Sequence, residues 1–119
     1  FAEHVEGMYH ISCEFFHDEH CRVDDQEVAT HLFRITQEAV NNAVRHGCAT
    51  SIRLRMSLSP STQVLEILDN GCGLLPGATV TGLGLRSMRY RADLIGASMD
   101  VSALPEGGTR VVISMPIEL

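Results

Sequence analysis

Between Asp25 and His46 apolar residues recur at helical spacing, and at Ser51 the period switches to two. Val28, Leu32, Ile35, Ala39 and Ala43, flanked by Phe33, Val40 and Val44, form one broad apolar face when stepped at about 100° per residue. Ile52, Leu54, Met56 and Leu58 then alternate with Arg53 and Arg55, the pattern of a strand with one buried face. An apolar helix face needs an apolar surface to lie on, so this chain must set helix against sheet.

The remaining segments extend that plan. Ile11 to Phe16 alternate and read as a strand, and Val64 to Asp69 form a second partner hairpinned to Ser51–Leu58 through Pro60-Ser61-Thr62. Asp24-Asp25-Gln26-Glu27 is a helix start signal, and Gly47 is placed to stop that helix. A shorter helix is expected over Leu85–Ile95, with Gly96 near its end. Two last strands, Ala97–Ala103 and Thr109–Met115, join through the turn Pro105-Glu106-Gly107-Gly108. Phe1 to Gly7 reads as the end of a helix entering from upstream. Residues 70–84 hold five glycines and one proline, too many for regular structure. The expected fold class is α+β: a two-layer α/β sandwich with a mixed sheet and about three helices on one face.

At 119 residues the chain is one domain, 1–119. All nine basic residues are arginine. The absence of lysine excludes a Walker-type phosphate loop, a pyridoxal Schiff base and the strand lysine of eukaryotic-type protein kinases. The net charge of −6 argues against direct nucleic-acid binding, which needs clustered cations. No apolar run approaches the roughly 18 residues of a membrane span. The start at Phe1, without a signal pattern, leads us to expect a fragment of a longer protein. Cys13, Cys21, Cys48 and Cys72 read as reduced thiols of a cytoplasmic domain. His10, Cys13, His17, His20 and Cys21 are metal-ligand types, but they lack any usual zinc spacing, so no structural metal is expected.

Four features carry chemistry. Glu38, Asn42 and Arg45 fall along one edge of the long helix with His31. An acid, an amide and a cation so spaced can converge on one ligand, although a solvated rim is the commoner outcome for such charges. Asp69 reverses that balance. It continues the apolar face of Leu65 and Ile67, and a carboxylate there needs a partner. Asn70-Gly71-Cys72-Gly73 follows at once, with glycines that let a flat ligand approach the main chain. Gly82-Leu83-Gly84-Leu85 stands at the mouth of a helix, where free N–H groups suit phosphate. Thr109, after Gly107-Gly108, shares a face with Val111, Ile113 and Met115 and brings a hydroxyl to the same side.

In this order and spacing the segments resemble the ATP-binding catalytic domain of a two-component sensor histidine kinase. That domain belongs to the superfamily with gyrase, the heat-shock chaperone ATPase and MutL. The resemblance rests on His31-Leu-Phe-Arg-Ile-Thr-Gln-Glu-Ala-Val-Asn-Asn-Ala-Val-Arg-His46-Gly47, on Asp69-Asn-Gly-Cys-Gly-Leu74, on Gly82-Leu-Gly-Leu85 and on Gly107-Gly-Thr-Arg-Val-Val-Ile113. The Gln-Glu-Ala-Val-Asn-Asn string and the segment Gly84–Gly96 look like kinases that pair with helix-turn-helix response regulators.

The resemblance implies a Bergerat-type fold that binds ATP with Mg²⁺. It implies that Asp69 accepts a hydrogen bond from the adenine amino group, with Thr109 supporting through water, and that Gly71 and Gly73 admit adenine to the backbone. Asn42 would hold Mg²⁺ and Glu38 would orient water or metal, the two being the catalytic pair. Arg45 would face phosphate, and His46 occupies a family-typical position. Gly82, Leu83, Gly84 and Leu85 would line the nucleotide, with Leu75 to Thr81 as a lid. Tyr90 stands where many relatives carry Glu.

The implied activity is transfer of the γ-phosphoryl group to a histidine on a separate dimerisation region, then relay to a response-regulator aspartate. The implied parent is a homodimer, free in the cytoplasm or anchored to a membrane, and the isolated domain a monomer. An anti-sigma-factor-type Ser kinase or a gyrase-like ATPase module of the same fold is the alternative. His17-Asp18 superficially resembles an acceptor pair, but it is expected in a polar turn rather than within a long helix.

Overall fold

The computed structural model describes residues 25–45, 49–59, 61–71 and 85–116, and residues 12–17 as backbone. The described elements are β1 (Ser12–His17), α1 (Gln26–Arg45), β2 (Ser51–Leu58), β3 (Thr62–Asp69), α2 (Leu85–Leu94), β4 (Ser98–Ala103) and β5 (Thr109–Pro116). Each expected element that falls on described residues is present within two residues of its expected ends. The inbound helix expected at Phe1–Gly7 lies outside the described residues, which hold two helices rather than three.

The strands form one mixed sheet in the order β1-β2-β3-β5-β4. β1 runs parallel to β2, and the other neighbours are antiparallel. The parallel pair follows from connectivity: α1 carries the chain back between β1 and β2, as a crossover must. The hairpins β2–β3 and β4–β5 need only short turns. In the first, the Ser59 amide donates to the Thr62 carbonyl at 2.8 Å. In the second, the Leu104 amide donates to the Gly108 carbonyl at 3.0 Å.

Both helices pack on one face of the sheet. Ile52, Leu54, Leu65, Ile67, Val111 and Ile113 supply the sheet side of the core, and Ile35, Val40 and Met88 press on it from the helices. Alternate residues turn away from the helices, and there Arg110 donates to Glu66 across β5 and β3 at 2.9 Å. The hydroxyl of buried Thr36 is satisfied by the Leu32 carbonyl at 2.8 Å.

The helix ends are set by local chemistry. Asp25 is the N-cap of α1: its carboxylate accepts from the amides of Glu27 at 2.8 Å and Val28 at 3.2 Å. The residue three after this cap is Val28, so the Asp24–Glu27 spacing does not close a capping box. α2 ends in a Schellman arrangement. Gly96 sits at φ 71°, its amide bonds the Asp93 carbonyl at 3.1 Å, and the Ala97 amide bonds the Ala92 carbonyl at 2.9 Å.

Candidate functional site

Asp69 is the last residue of β3 and stands opposite the fully buried Ile52 of β2. The strand's period of two puts its side chain on the face of Leu65 and Ile67, both buried. The chain then turns sharply, and the Gly71 amide donates to Asp69 Oδ1 at 2.8 Å. The register of β3 with β5 ends at Leu68 and Arg110. One step further sets Asp69 opposite Thr109, whose backbone amide also bonds the Asp69 carboxylate. Desolvation by burial raises the pKa of this carboxyl above the ordinary aspartate value, and the amides of Gly71 and Thr109 draw it back only in part. A half-buried carboxylate held in this way is an acceptor kept oriented and poorly hydrated.

The β4–β5 turn builds the other wall. Gly108 is buried at φ 104°, and a Cβ placed there would lie 1.9 Å from the Asp69 carbonyl oxygen. Only glycine lets β5 enter the sheet so close to Asp69. Asn70 supplies a third constraint through its hydrogen bonds to Thr50 and Ser51 at the start of β2. The roles of Gly108 and Asn70 were not assigned from sequence. Their signals were present as a Gly-Gly pair before a strand and an Asx residue after one, patterns that ordinary turns share.

The helix edge forms as its spacing predicts. Glu38 and Asn42 are half-buried and Arg45 exposed on α1. At the His31 end of this edge Arg91 of α2 donates to His31 Nδ1 at 3.2 Å. Leu85 begins α2, and its side chain is buried in the core. The structure thus brings Asp69, Gly71 and Thr109 into one bonded unit and sets Glu38, Asn42 and Arg45 along one edge of α1. His46, Gly73, Gly82, Leu83, Gly84 and the lid segment 75–81 lie outside the described residues. So do the side chains of His10, Cys13, His17, His20 and Cys21. Among the described residues no cluster of three metal-ligating side chains occurs.

A cavity of about 430 Å³ also adjoins this corner, between Arg53 and Leu68 on one side and Leu104 and Glu106 on the other. Arg53 and Leu68 belong to the face of the sheet away from the two described helices, opposite to the side on which Asp69 continues Leu65 and Ile67. Ser51, Asp69 and Asn70 line the cavity as well, so it meets the Asp69 corner from this second face.

The profile of the family described as histidine kinase-, DNA gyrase B- and HSP90-like ATPase matches residues 27–119. The sensor protein VraS of Staphylococcus saprophyticus is 37% identical over 91 residues, covering 76% of this chain and 26% of that protein. VraS of Staphylococcus haemolyticus matches to the same extent. Among solved structures, the ATP binding domain of PrrB from Mycobacterium tuberculosis superposes with a TM-score of 0.67 at 31% identity, over 76% of this chain and 69% of that one. The blue-light activated histidine kinase of Erythrobacter litoralis reaches a TM-score of 0.79 at 23% identity, over 97% of this chain and 39% of that one, a likeness of fold. The fold is that of this ATPase class, and the chain belongs to the histidine kinase-, DNA gyrase B- and HSP90-like ATPase family. It spans about a quarter of the length of the curated relatives it matches. None of the described helices is long and apolar enough to cross a membrane.

Proposed function

We propose that this domain binds Mg-ATP and donates the γ-phosphoryl group to a histidine on the dimerisation region of a two-component sensor kinase. A response-regulator aspartate is then the final acceptor. The observation that carries the reading is Asp69, oriented by the amides of Gly71 and Thr109 and backed by Gly108. Such an acceptor suits an exocyclic amino group on a flat heterocycle. Kinship with the VraS sensor proteins favours the histidine-kinase reading over a serine kinase or a gyrase-like ATPase.

Within this reading Asp69 binds the adenine amino group, and the Thr109 hydroxyl supports it from the same sheet side. Glu38 and Asn42 lie half-buried on one edge of α1, an acid and a neutral oxygen donor that suit Mg²⁺ and its water. When bound, Mg²⁺ supplies neutralisation of phosphate charge. Arg45 and the amide end of α2 at Leu85 add positive potential for phosphate. His46, Gly73, Gly82, Leu83 and Gly84 complete the proposed lining. Catalysis is then positioning and charge compensation, with the acceptor histidine brought from elsewhere. The domain would work as the catalytic part of a longer, homodimeric protein, with its site in the cytoplasm.

Calorimetry with ADP and Mg²⁺ tests the reading. Wild type should bind, and Asp69→Asn should lose roughly ten- to hundredfold in affinity, since an acceptor facing the amino group becomes a donor. Asn42→Asp should alter the Mg²⁺ dependence of binding. Unchanged ADP affinity in Asp69→Asn would show that the pocket is wrongly placed.

A further inference from the structure

The hydrogen bonds at the end of β3 converge on Asn70 rather than on Asp69. Asn70 Oδ1 accepts from the amides of both Thr50 and Ser51 at 2.9 Å. Its Nδ2 donates to Thr50 Oγ1 at 3.0 Å. Its own amide donates to the Ser51 carbonyl at 3.2 Å. The paired ladder between β2 and β3 stops at Ile52 and Asp69, and at this point the Asn70 side chain takes over from backbone pairing. Asp69 therefore has an anchored residue immediately after it. Across the sheet Gly108 presses on its carbonyl so closely that a methyl group has no room. The backbone of Asp69 is pinned from the β2 side by Asn70 and from the β5 side by Gly108.

From this geometry we propose that Asn70 is a positioning residue that makes Asp69 selective for a 6-amino purine. The proposal deepens the nucleotide-binding reading above and rests on it. Asn70 faces solvent and does not share the face of Asp69, so it acts through the backbone. Freeing residue 70 lets the turn at Gly71 rotate, and Asp69 Oδ1 loses its fixed bond to the Gly71 amide. The carboxylate then keeps only its bond to the Thr109 amide, can pivot about it, and no longer waits where one amino group arrives. A hydrogen bond discriminates between ligands only when its acceptor is held in place, because otherwise the cost of ordering it offsets the gain.

This role separates from simple structural support. The amides of Thr50 and Ser51 lie at an exposed corner, so water replaces Asn70 there and the loss of stability is modest. Loss of selectivity is what a positioning role adds. The test compares ADP with purine riboside diphosphate, which lacks the 6-amino group, by calorimetry in the presence of Mg²⁺, with a thermal midpoint recorded for every variant. Wild type should prefer ADP by roughly tenfold or more. In Asn70→Ala the ratio of the two affinities should fall toward one, with most of the loss on ADP. Thr50→Val removes only the Nδ2 partner and should give an intermediate ratio, so it decides the matter if Asn70→Ala does not fold. Asn70→Asp keeps an acceptor for both amides and should retain most of the ratio.

Equal losses for both nucleotides, or an undiminished ratio in Asn70→Ala and Thr50→Val, would overturn the proposal while leaving the nucleotide site standing. A wild-type protein that binds both alike removes this proposal and the adenine role of Asp69, and one that binds neither removes the nucleotide reading as well.

Discussion

At the scale of single residues, Asp69 sets function against stability. Its carboxyl is raised in pKa by burial, with the Gly71 and Thr109 amides opposing. The folded state therefore holds this proton more tightly than the unfolded chain does. The associated stability is fully present below the ordinary aspartate value of 3.8 and is lost as pH rises through the raised folded pKa. At neutral pH the ionised group weighs against the fold. Asp69→Asn, neutral at every pH, should unfold at higher urea than wild type at pH 7.5, and the gap should narrow toward pH 4.5. A gap that widens on acidification would contradict the desolvation argument. The two glycines of the β4–β5 turn give a second contrast. Both have φ near 100°, so alanine at either costs about 1–3 kcal/mol of backbone strain. At Gly107 the new methyl would stand 3.6 Å from the Gly71 carbonyl, an ordinary contact, whereas at Gly108 it would collide with Asp69. Gly108→Ala should thus be the more damaging by at least about 2 kcal/mol in chemical denaturation, and equal effects would mean the turn is free to relax.

At the scale of elements, periodicity made nearly the whole fold legible before any coordinates. The alternation of Ile52, Leu54 and Met56 gave β2 its ends, and the face shared by Leu65, Ile67 and Asp69 fixed which side of β3 meets the helices. Local chemistry was harder to assign. Asp24 and Asp25 both precede a helix, and sequence spacing favoured the pair with Glu27, yet the cap is Asp25, which reaches the amides of Glu27 and Val28. A helix start is decided by which residue leaves the helical backbone first, and neighbouring aspartates offer the same atoms for that job. Asp25→Ala should lower stability by about 1 kcal/mol. Glu27→Gln, which leaves the cap intact, should change it far less. If the two variants are equivalent in thermal unfolding, the cap assignment fails. His17 was likewise expected in a turn but is the last residue of β1, paired with Met56, because a strand end carries no sequence mark when polar residues continue past it.

At the scale of the whole molecule, the candidate site was legible only as a list of parts. Glu38, Asn42 and Arg45 shared one helix edge by spacing, where a solvated rim was the commoner reading, and Asp69 stood out as a charge on an apolar face. Two further facts emerged only with the sheet assembled: β5 enters against the carbonyl of Asp69, and Asn70 ties that corner to β2. Contacts between residues 20 to 40 positions apart depend on register, which composition does not encode. The same assembly bears on what the isolated chain can do. In-line phosphoryl transfer needs an acceptor able to approach the γ-phosphate. His31 lies within α1 and contacts Arg91 of α2, and His17 is held in the ladder with β2. Neither is free to travel to a nucleotide. The 119-residue chain should therefore bind ATP yet accumulate negligible acid-labile, base-stable phosphohistidine when incubated with radiolabelled ATP. A separate dimerisation region carrying its own histidine should become labelled in trans. That labelling should be weak, because an untethered acceptor lacks the high effective concentration, about millimolar, that a short linker provides. Strong labelling of the chain alone, abolished by His17→Ala, would place the acceptor inside this domain and give His17 the role that its place at the end of β1 argues against.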